Sequence, residues 1–173
     1  EIPLGDALSL GDPLDRNPAS VAADCRIAHY TTRFAERIFG VVVLADGRVA
    51  AEATATLRDK LRRERLAGAG EPRIFHPGKA DGPGESIGGR LRFASYRGEA
   101  WFAWLCGRPL APRGGNWREG ASACTVSPDT VGFYIRLHPE LELRQFLCPG
   151  CGGSLSVEAA EKGAPDIQDI ELS

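Results

Sequence analysis

At 173 residues the chain has room for one ordinary domain or two small ones, and small units gain most from a metal or disulfide staple. Its 21 Lys plus Arg against 23 Asp plus Glu leave no strong net field, so neither nucleic acid nor an anionic membrane is an expected partner. No apolar run approaches the ~18 residues of a membrane span, the first residues lack the charged and apolar regions of a signal peptide, and the cysteines number five; a reduced, cytoplasmic setting without a disulfide framework is expected.

In chain order, Asn17-Pro18 predicts a helix start, because the Asn side chain can accept from the first free amides and the proline is already at helical φ. Val21, Ala22 and Cys25 then share a face. A short second helix is expected from near Thr32 to before Gly40. VVVL, residues 41–44, closed by Asp46-Gly47, predicts one short strand. AAEATATLRDKLRRER, starting at Ala50, predicts an amphipathic helix with Ala53, Leu57 and Leu61 on its apolar side and the Arg-rich end as a solvated face. That helix has no obvious local core to lie on.

Residues 1–66 thus read as a helical segment. Glycine and proline then crowd residues 67–88, which predicts a linker. Beyond it RLRFAS, EAWFAWL, VGFYIRL, RQFL and SLSVE alternate with turn residues and predict the strands of a small unit over 89–158. The acidic stretch 159–173 predicts an extended tail, disordered or laid over a partner. The expected fold class is α+β: a helical N-terminal segment with one short strand, followed by a small antiparallel β unit of zinc-ribbon type.

Four cysteines fall in the β half. Cys148 and Cys151 form Cys-x-x-Cys-Gly, in which glycine accepts the positive φ of a turn that points amides at sulfur. Cys106-Gly107 is a partial copy, and each follows an apolar strand, so two hairpin tips can meet around a zinc ion. Cys124 is the expected fourth ligand, with His138 as its alternative. A dithiol redox site would place the pair at a helix start, whereas SLSVE is strand-like. A closed site of four thiolates has no open position to activate water and builds structure. No catalytic residues are assigned: His29, His76 and His138 lie far apart, and GKADGPG lacks phosphate-loop spacing. Cys25 suits a helix-face core position.

GDPLDRNPASVAADC followed by FGVVVLADGRVAAEATATLRDKLR, over roughly 11–65, resembles the C-terminal tail of the hydantoinase B family. It departs in lacking a glycine-rich run before Gly11 and in having Ala50 where that family has an acidic residue. GGRLRFASYRGEAWFAWLCG, Asn116-Trp117 and LRQFLCPGCGGSLSVE, over roughly 88–158, resemble the zinc-binding gamma subunit of acetone carboxylase. This second resemblance carries over Cys106, Cys148 and Cys151 as zinc ligands and sets Cys124 near a family histidine; Trp104 and Ala111 stand where the family has further cysteines.

Together the resemblances imply a small, noncatalytic subunit of an ATP-dependent ketone carboxylase of the acetone or acetophenone type. In such enzymes the ketone is activated as a phosphorylated enolate and bicarbonate as carboxyphosphate, giving a β-keto acid. ATP and bicarbonate would bind large hydantoinase A-like and B-like partner subunits, which this chain would clasp, and the isolated chain would be poorly soluble or partly unfolded. Two other readings stand beside it. One is the small subunit of an ATP-dependent hydantoinase or oxoprolinase-type amidohydrolase. The other is a stand-alone zinc ribbon binding nucleic acid, for which Arg108, Arg113 and Arg118 are diluted by Glu119, Glu140 and Glu142.

Overall fold

The computed structural model describes residues 11–88, 91–128 and 136–168. Most of the expected VGFYIRL strand, the first ten residues and the last five lie outside the described residues. The chain divides into two compact units, Glu1–Ala67 and Gly68–Ser173. The class is α+β, with helices in the first unit and antiparallel sheets in the second.

In the first unit Asp12 opens a 3-10 turn, Pro13–Asp15, by accepting from the Leu14 amide (3.0 Å). Helix α1 is Pro18–Arg26, and Asn17 caps it as expected by accepting from the Ala19 amide at 2.8 Å. Helix α2, Thr32–Phe34, is capped by Thr31 and widens into a π turn, Ala35–Phe39, that stops at left-handed Gly40. Val21, Ala35, Phe39 and Val41 form a small core, with Cys25 packed at its rim. The expected strand at 41–44 is one arm of a tight hairpin with a single bridge, Val43 to Val49, because the turn returns the chain straight into a helix.

That helix, α3, is Ala51–Ala67. Its packed face differs from the expected one. Ala53 is exposed, and Thr54, Leu57, Arg58, Leu61, Arg62 and Arg65 turn inward at i, i+3, i+4 spacing. Arg65 meets Asp12 at 2.9 Å, Arg62 meets Asp15 at 2.7 Å, and Arg58 donates to the carbonyls of Arg16 (2.6 Å) and Phe39 (3.1 Å). The arginine run is therefore a docking face. Its long stems cover apolar surface while the guanidinium groups satisfy carbonyls and carboxylates left free by the preceding turns. Lys60 and Glu64 pair on the outer side. A side chain on Gly40 would stand 2.8 Å from Arg58 Cγ and 3.2 Å from Leu14, so glycine here both ends α2 and admits α3. The helix lies on its own N-terminal segment, which supplies the local support that the hydropathy pattern did not reveal.

The second unit holds two sheets. The first has the order β1-β2-β3-β4: Asp81–Gly88, Leu91–Tyr96, Glu99–Trp104 and Pro109–Pro112. The second has the order β5-β6-β7: Ser122–Val126, Leu141–Leu147 and Ser154–Glu161. β1 lies inside the expected linker. It is an edge strand with a left-handed glycine on either side of Pro83 and two irregularities in register, which an edge tolerates because only one side of the ladder must be satisfied. β4, with a proline at each end, is the other edge.

Phe102, Trp104, Leu110, Trp117, Phe146 and Cys148 form one core shared by both sheets. The described part of the acidic tail lies on its own unit, where Arg144 holds the Ala164 carbonyl at 2.6 Å and Gln168 donates to the Gly114 carbonyl.

A 3-10 turn, Trp117–Gly120, packs on β4 so closely that a β-carbon on Gly120 would fall 1.9 Å from the Leu110 carbonyl oxygen. Gly120→Ala should therefore cost about 3 kcal/mol, the upper part of the overpacking range, because the clash is with backbone and no rotamer relieves it. Chemical denaturation checks this. Gly70→Ala, at a glycine without a left-handed backbone and where a β-carbon would meet nothing closer than 3.4 Å, is the control.

Candidate metal centre

Two turns build the centre. Between β3 and β4 the Gly107 amide donates to the Trp104 carbonyl (2.7 Å) and the Trp104 amide to the Arg108 carbonyl (2.9 Å), with Gly107 at φ +85°. Between β6 and β7 the Gly152 amide donates to the Cys148 carbonyl and the Cys148 amide to the Gly153 carbonyl, both at 2.8 Å, with Gly152 at φ +69°. In each turn a cysteine, Cys106 or Cys151, immediately precedes the left-handed glycine. The two turns meet.

Cys106 Sγ lies 3.5 Å from Cys148 Sγ, and the three sulfurs of Cys106, Cys148 and Cys151 all lie within 4.8 Å of one another. This is far too long for an S–S bond of about 2.05 Å. It suits thiolates sharing a tetrahedral ion, for which Zn–S distances of about 2.3 Å set sulfurs about 3.8 Å apart. Cys148 is buried, while Cys106 and Cys151 are half-buried.

Hydrogen bonds from Cys148, then Cys151, push the Cys106 thiol well down toward thiolate, and the nearby Arg108 acts in the same direction. The same bond to Cys106 pushes Cys148 up, assisted by burial, and Cys151 is raised first by Cys106. Three sulfurs packed this closely, with Cys106 the one favoured as thiolate, make a donor set whose negative charge a cation would offset.

Arg108 and Lys79 flank the centre. A β-carbon on Gly150 would lie 2.9 Å from Arg108 Nε, and one on Gly107 would lie 3.6 Å from Lys79. Trp104 closes the other side, with its Nε1 at 3.0 Å and Cys151 Sγ at 3.4 Å from where a Gly153 side chain would begin. Glycine at 150 and 153 is what lets these groups approach.

Of the four cysteines expected at the centre, the structure brings three together. Cys124 sits on β5 opposite Gln145 and borders a groove of about 450 Å³ lined also by Arg73, Arg118 and Arg144. His138 precedes β6, is exposed, and accepts weakly from the Glu140 amide at 3.4 Å. The seven-residue strand between it and Cys148 spans roughly 20 Å. The surrounding Trp104, Arg108 and Lys79 carry no motif of their own and become visible only through the hairpin geometry.

Fold and centre together define an α+β chain with a cluster of three thiols that could hold a metal ion, and no helix among the described residues is long and apolar enough to cross a membrane. A 61-residue segment is 44% identical to the acetone carboxylase alpha subunit of Xanthobacter autotrophicus, covering 33% of this chain and 8% of that subunit. The chain therefore matches a small part of that relative. No protein-family model matches the chain.

Proposed function

We propose that the chain is a noncatalytic assembly subunit of a multisubunit, ATP-dependent ketone carboxylase of the acetone or acetophenone type, built around a structural metal site. The observation that carries the reading is the 44% identity to an acetone carboxylase subunit over a short segment. A match of that extent is what a shared segment produces, in a chain that otherwise differs from the relative. The carboxylation chemistry then belongs to large partner subunits, which bind ATP, bicarbonate and the ketone.

The three thiols give the β unit its part in this reading. Cys106 belongs to the first sheet and Cys148 and Cys151 to the second, so an ion held by all three ties the sheets at their tips. Zinc suits the donor set, being tetrahedral, redox-inert and at home with thiolates. The first unit supplies a preformed helical surface for docking.

Native mass spectrometry of the chain purified from its own source tests the proposal. The expected result is co-purification with large subunits, one zinc per chain, and ketone-dependent ATP turnover by the complex. A free, zinc-loaded monomer in gentle extracts would overturn it.

A further inference from the structure

A centre made from two such turns has four positions, one opening and one closing each turn. In the second turn Cys148 opens and Cys151 closes. In the first, Cys106 closes, and Trp104 makes the opening hydrogen bonds that Cys148 makes in its partner. An indole is not a metal ligand, and Trp104 is fixed in the core. The fourth position must be filled some other way.

Every cysteine and histidine of the chain is among the described residues, so the remaining candidates can be taken in turn. Among the described residues no further Cys, His, Asp or Glu joins the three sulfurs in a group within 4.8 Å. Cys124 pairs with Gln145, next to Phe146; since Phe146 and Cys148 share one core, strand alternation puts Cys124 on the opposite face of the sheet. A one-residue slip of β5 would be needed to turn it round, and five consecutive register pairs oppose that. His76 packs its ring edge-on against Trp101, on the face of β3 opposite Phe102 and Trp104. His138 lies at the far end of β6.

We infer that the metal held by Cys106, Cys148 and Cys151 keeps an exchangeable fourth position, filled by water in the isolated chain and open to an external thiolate. The inference rests on the metal-site reading above. Three protein ligands leave a tetrahedral ion one position to be filled from outside, while the same three still tie the two turns together as the structural role requires. The Arg108 guanidinium, with Nε and an Nη beside Gly150, offsets the charge of a further anionic donor. In the exchange a thiol RSH loses its proton to solvent, RS⁻ bonds the metal and water leaves, with no change of oxidation state.

Cobalt(II)-substituted full chain in thiol-free buffer provides the test, read by its sulfur-to-cobalt charge-transfer absorption. The expected spectrum has the intensity of three thiolates and does not change with protein concentration. It should rise saturably to that of four on adding 2-mercaptoethanol, and the Cys25→Ser/Cys124→Ser double variant should behave identically. A spectrum already at four thiolates that falls in the double variant would overturn the inference, as would indifference to added thiol. Concentration dependence would also overturn it, by giving the position to a second copy of the chain. Failure to bind cobalt at all would instead remove the metal site itself.

Discussion

Cys148→Ser should yield a chain without bound metal and with a β unit that melts at least about 10 °C below the native one. Cys148 is the most enclosed of the three sulfurs and the one whose neighbours, Phe146 and Trp117, form the shared core. Thiolate–zinc sites contribute on the order of 10 kcal/mol at neutral pH, all of it folding free energy when the site exists only in the folded state. Here the unit has its own apolar core, so part of the fold survives and the loss is smaller. A net ~3 kcal/mol corresponds to a shift of roughly 10–20 °C in a unit of this size. Metal content by elemental analysis and a thermal melt check both parts, and a chelator added to the native chain should reproduce the shift. Cys25→Ser, on the rim of the other core, should leave metal content unchanged.

Asp12→Ala should be the most damaging single change in the first unit, at about 3 kcal/mol. The Asp12 carboxylate is fully enclosed, accepts from the Leu14 amide and faces Arg65, whose side chain is 19% exposed. Deleting it strands a largely buried guanidinium and uncaps a turn. Breaking one side of a buried pair costs about 3–5 kcal/mol, and the residual access of water to Arg65 argues for the lower end. Arg63→Ala, one residue along the exposed side of the same helix, should cost next to nothing. Urea titration followed by helical circular dichroism separates the two.

These two sites mark where the sequence was and was not readable. The Asn17-Pro18 helix start, the Cys-x-x-Cys-Gly turn and the strands rich in aromatic residues were legible because each depends on interactions within a few residues. The docking role of Arg58, Arg62 and Arg65 was not. A charged run reads as solvated unless its partners are known, and Asp12 and Asp15 lie about fifty positions away in the chain. β1 was hidden by its glycines and proline, which local propensity counts against any strand; β2 supplies the pairing that overrides it. The cysteine cluster was legible as to which turns meet. Which fourth group joins them depends on strand register, because alternation decides the face on which Cys124 sits, and register is a property of the assembled sheet.

The two edges of the first sheet carry a further consequence. β1 contains Pro83 between left-handed glycines, and β4 begins and ends with proline, so each outer rim lacks amides that an added strand would need. Strand addition to that sheet, by a partner peptide or by another copy misassembling against it, is therefore disfavoured at both edges. Binding there falls mainly to side chains across the faces, so that recognition is a matter of shape and charge more than of backbone pairing.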